Sequence, residues 1–80
     1  MNEYWERLQE DILETKEAIE SLTKYAEKLQ HLRKTTPQEH VEKHEELKQV
    51  ALEVSNDLEY YELKLQDLTK EECLYEYYCS

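Results

Sequence analysis

From Trp5 to Tyr75 the apolar residues recur in heptads, and the pattern breaks at one place, Thr35-Thr36-Pro37. A repeat of this period belongs to α-helices packed side by side, because seven residues bring a side chain back to the same face after two turns. Before the break, Trp5, Ile12, Ile19, Ala26 and Arg33 fall at a, and Leu8, Thr15, Leu22 and Leu29 at d. After it, the d row is His40, Leu47, Val54, Tyr61, Leu68 and Tyr75, and the a row is His44, Ala51, Leu58, Leu65, Glu72 and Cys79. The residue before a proline avoids the helical region, so Thr36 reads as an N-cap, Pro37 as the first helical position and Glu39 as its capping partner. The chain is therefore expected to be all-α, one domain over 1–80. Helix 2–34, a turn at 35–37 and helix 37–78 should fold into an antiparallel coiled-coil hairpin. With no Gly and a single Pro, the turns that strands require are missing.

Antiparallel pairing matches a on one helix with d on the other. A fold at Thr36-Pro37 pairs Trp5 with Leu68, Leu8 with Leu65, Ile12 with Tyr61, Ile19 with Val54 and Leu29 with His44, residue numbers that add to 73. The same register brings Asp11 near Lys64 and Tyr25 near Val50.

Two surfaces stay uncovered in that hairpin. One side carries Tyr4, Ala18, Tyr25 and Leu32 from the first helix and Val50 and Tyr60 from the second. An apolar side this long needs a partner, and a second copy would make a four-helix bundle. The second helix is also the longer, so residues beyond Glu72 are expected to overhang. Leu74, Tyr75, Tyr77 and Tyr78 concentrate aromatic surface there, and tyrosine, with a large apolar face and a polar tip, suits a protein interface. Cys73 and Cys79 read as reduced thiols, with a bridge across a symmetric dimer as the sharper alternative.

Twenty acids face ten bases, a formal charge of −10. That balance argues against direct binding of nucleic acid and for a protein partner. Glu3, Glu6, Glu10, Glu14, Glu17 and Glu20 line the outside of the first helix. They read as a solvated face, or alternatively as a DNA mimic that occupies a nucleic-acid-binding protein. No apolar run has the length of a membrane span, and Met1-Asn2-Glu3-Tyr4-Trp5-Glu6 lacks the features of a secretory leader, so the expected location is cytoplasmic.

Chemistry has little to stand on. His40 and His44 have the spacing of a helical metal pair, but they occupy the seam while His31 points outward, so no metal or other cofactor is expected. No Gly-rich loop can cradle phosphate. Ser55-Asn56-Asp57-Leu58-Glu59 resembles the Ser-Gln-Glu-Leu-Asp signature of the short helical-hairpin aspartyl-phosphate phosphatases. Ser55 and Leu58 coincide, Glu59 stands where that family has its functional aspartate, and no membership is read from it. The expectation is a small acidic regulator or adaptor, not an enzyme, that dimerises and inhibits or modulates a protein partner. Inhibitors carried by phages and mobile elements are often of this kind, an association and not a physical derivation.

Overall fold

The computed structural model describes residues 3–79, and side chains through Tyr78. It is a hairpin of two helices, α1 (Glu3–Thr35) and α2 (Val41–Cys79), with no strand among the described residues. The hairpin is a rod of 61 × 16 × 14 Å. Its radius of gyration, 18.1 Å, compares with about 12 Å for a compact globule of this length.

The heptads place the core. In both helices every a and d residue from Trp5 to Tyr75 is buried or half-buried, apart from Arg33 and His40 beside the connection. Leu29, Leu47 and Val54 form one buried cluster, with Leu22, Ala26, Val50, Ala51 and Leu58 packed against it. Leu8, Ile12 and Thr15 are the buried residues nearer the open end. α1 is also well matched to its dipole, with Glu3 and Glu6 in the first turn and Arg33 and Lys34 in the last. α2 carries Glu42 in its first turn but no base in its last.

The connection departs from the expected tight turn, and α2 starts at Val41 rather than Pro37. The hydroxyl of Thr36 is the reason. It donates back to the Leu32 carbonyl at 2.6 Å, beside a bond from the Thr36 amide to the same oxygen at 2.9 Å. Thr36 therefore closes α1 and cannot cap α2. Pro37 opens a turn instead: its carbonyl accepts from the His40 amide at 3.1 Å and lies 3.1 Å from Nε2 of His44. The first bond of α2 runs from the His44 amide to the His40 carbonyl at 3.1 Å.

A longer connection moves the register. Trp5 stacks on Tyr75, ring centroids 5.0 Å apart, rather than meeting Leu68. Gln9 reaches Glu72 and Tyr4 reaches Glu71. Near the connection, Leu47 and Val54 share a cluster with Leu29. They lie about 10 Å apart along their own helix, so Leu29 touches both and sits level with Ala51, not His44. Leu29 with Ala51 and Trp5 with Tyr75 add to 80, one heptad beyond the expected register. Among the described residues Asp11 and Lys64 form no ion pair.

Candidate interaction surfaces

At the open end, α1 begins with two adjacent aromatics that both reach α2. The Tyr4 hydroxyl donates to a carboxylate oxygen of Glu71 at 3.0 Å, and its ring lies 5.7 Å from that of Tyr75. Trp5 stacks on the same Tyr75 ring at an interplanar angle of 26°. One residue thus holds the first turn of α1 through both rings. The Gln9 amide donates to Glu72 at 2.5 Å. The Tyr4 phenol is held above its ordinary value because it donates to the Glu71 carboxylate, with desolvation and the negative charge acting the same way.

Tyr75 therefore belongs to the hairpin, half-buried, and the expectation that nothing lies opposite the residues after Glu72 is corrected. The heptad had already placed Tyr75 at d; what was missing was the residue that meets it. Beyond Tyr75 the end is open. Tyr77 and Tyr78 are 76% and 79% exposed, and their rings meet edge to face at 5.3 Å. Leu74 is also exposed. Cys73 is an exposed free thiol; the side chain of Cys79 lies outside the described residues.

The second surface is the Tyr25 side. Tyr4, Tyr25, Leu32 and Tyr60 are exposed, and Ala18 and Val50 are half-buried where they lean on the seam. The ring of Tyr60 meets Tyr61 edge to face at 5.2 Å. Elsewhere Leu13, Leu52 and Leu63 are exposed singly.

The acidic residues Glu3, Glu6, Glu10, Glu14, Glu17 and Glu20 are all exposed. Glu20 pairs with Lys24 at 3.2 Å across one turn, an exposed contact worth about 0.3–0.5 kcal/mol. His31 and His40 are exposed while His44 faces the Pro37 carbonyl. Among the described residues no group of three His, Cys, Asp or Glu side chains is placed to hold a metal ion. Ser55, Asn56, Asp57 and Glu59 lie on the exposed flank of α2 while Leu58 turns into the seam. No helix among the described residues is long and apolar enough to cross a membrane. Comparison with family models, curated proteins and solved structures finds no match to this chain.

Proposed function

We propose that this chain is a small cytoplasmic regulator or adaptor, without catalytic activity of its own, that dimerises through its Tyr25 side and engages a protein partner through its tyrosine-rich end. The observation that carries the reading is the amount of surface the hairpin leaves in water. Its accessible area is 6803 Å² for 9.8 kDa. A folded monomer of that mass exposes about 5,200 Å². The excess of about 1,600 Å² is twice the ~800 Å² that a standard interface takes from each partner. A rod of two helices has one seam to bury and no third layer, so association supplies what a larger core would.

Two surfaces supply two roles. The Tyr25 side is long, straight and flanked by both helices, which suits a second hairpin. Leu74, Tyr77 and Tyr78 sit at a tip, where a partner of different shape can reach them. Tyr75 acts there as a brace, because its ring is engaged by Trp5 and Tyr4. The net charge of −10 favours a partner with a basic surface and speeds its encounter. A bound regulator of this kind inhibits by occupying its partner's working surface.

The test is retention of partners from the source cell on the full chain and on a chain ended after Glu76. The shortened chain keeps the Trp5–Tyr75 stack and loses both exposed tyrosines. Loss of a specific partner with helix content intact supports docking at the tip; equal retention by both chains removes it.

A further inference from the structure

We propose that the hairpin has a second register, one heptad shorter across the connection, and that α2 slides into it to release Tyr75 at the docking tip. The geometry rests on the seam alone; its consequence for a partner rests on the tip as the docking site. Moving one helix by seven residues returns each side chain to the same face, so an a position still meets a d position. The middle of the seam is apolar either way: Ala26 lies level with Val54 or with Leu47, and Leu22 with Leu58 or with Ala51. The two registers differ at the ends. The observed one draws Glu72 into the seam level with Leu8, a half-buried carboxylate that accepts from Gln9. It also sets buried Leu47 level with exposed Arg33. The slid register returns Glu72 to water and places Leu8 on Leu65. It gives up the Trp5–Tyr75 stack and the Tyr4–Glu71 bond, and it brings His44 against Leu29. Each register thus satisfies one set of end contacts at the expense of another.

The connection holds the slack for the move. Residues 36–40 lie between the helices and are tied by local bonds, from Thr36 to the Leu32 carbonyl, from the His40 amide to Pro37 and from the Val41 amide to Glu39. Winding Pro37 to His40 into α2 exchanges these for helical bonds. The Thr36 hydroxyl then turns from the Leu32 carbonyl to the amides of the new first turn, where proline suits the first position. α2 advances by about 10 Å along α1, a slide between two discrete arrangements of packed helices. Tyr75 passes beyond Trp5 and joins Tyr77 and Tyr78 outside the hairpin. A partner that grips the Tyr75 ring binds the slid form alone and shifts the population toward it.

Spin labels on the full chain with Cys73→Ser, Cys79→Ser, Glu27→Cys and Lys70→Cys read the register, diluted into unlabelled chain so that only distances within one copy count. Glu27 and Lys70 are both exposed. Their backbones stand about 27 Å apart in the observed register and about 37 Å apart after the slide. Tyr75→Ala removes the stack that only the observed register makes. Thr36→Asp caps α2 but has no hydroxyl to donate to Leu32. Either change should enlarge the share of the longer distance, with helix content intact. The shorter distance alone, in the parent chain and in both variants, overturns the slide. The distances need no partner, so loss of the slide and loss of docking at the tip are separate results.

Discussion

Thr15 is 2% exposed, the most deeply buried side chain among the described residues, and it is polar. Its hydroxyl is satisfied by its own helix, donating to the Asp11 carbonyl at 2.6 Å. The bond ties no second element, so removing the hydroxyl without changing shape exposes no orphan across the seam. Thr15→Val should therefore hold stability or raise it by up to about 1 kcal/mol, seen as a higher melting temperature by circular dichroism. Leu29→Ala should do the opposite and lose about 2–4 kcal/mol, since Leu29 bridges Leu47 and Val54. That loss is a large part of the stability of a small domain, so much of the variant should be unfolded at room temperature. Tyr4 offers a pH signature. Its folded pKa is raised, so its contribution is complete below the unfolded value near 10 and is lost as pH rises through the folded one. Absorbance titration of the phenols should show one late component that Tyr4→Phe removes.

At the scale of the helices, the heptads named the inward faces, and those faces are the ones the structure buries. The register needed more. A slip of one heptad keeps every a opposite a d, so the apolar pattern is satisfied equally by Trp5 on Leu68 and Trp5 on Tyr75. Length of the connection decides between them, and that length depended on whether the Thr36 hydroxyl faced forward or back. Helix capping rules favour either use: Thr before Pro is a good N-cap, and Thr in a last turn bonds backward as well. A double-mutant cycle of Trp5→Ala with Tyr75→Ala should give a coupling of about 0.5–1.5 kcal/mol. The cycle of Trp5→Ala with Leu68→Ala should give less, and the reverse order would restore the shorter connection. The far end of α2 is the least supported by its own sequence, because its last turn has Glu76 and no base. Glu76→Lys should stabilise that end by about 0.3–1 kcal/mol at low salt, measured as slower amide exchange of the last turns.

For the whole molecule, shape dominates. A rod of this mass has more surface than a globule, and self-association is the direct way to remove it. The melting temperature should accordingly rise with protein concentration, as linkage of folding to dimerisation requires. Each copy brings a charge of −10, so added salt should strengthen the dimer by screening the repulsion between copies. If the carboxylates of α1 act as a DNA mimic instead, charge reversal at Glu10, Glu14 and Glu17 should abolish inhibition of a nucleic-acid-binding partner. Inhibition unchanged by that reversal assigns those side chains to solvation.

The sequence alone determined that this chain is helical, that it folds once near Thr36-Pro37, and which residues line the seam. Those features are local or periodic: proline geometry, the lack of Gly, and a repeat that only packed helices satisfy. What only the tertiary structure decided is how far one helix slides along the other. Translation by a heptad leaves the periodic pattern unchanged and alters only the ends, and the ends are where this protein differs from a plain hairpin. The slide carries Tyr75 onto Trp5 and shortens the overhang to the turns that bear Tyr77 and Tyr78. It also makes the first turn of α1 part of the wall beside the proposed docking site.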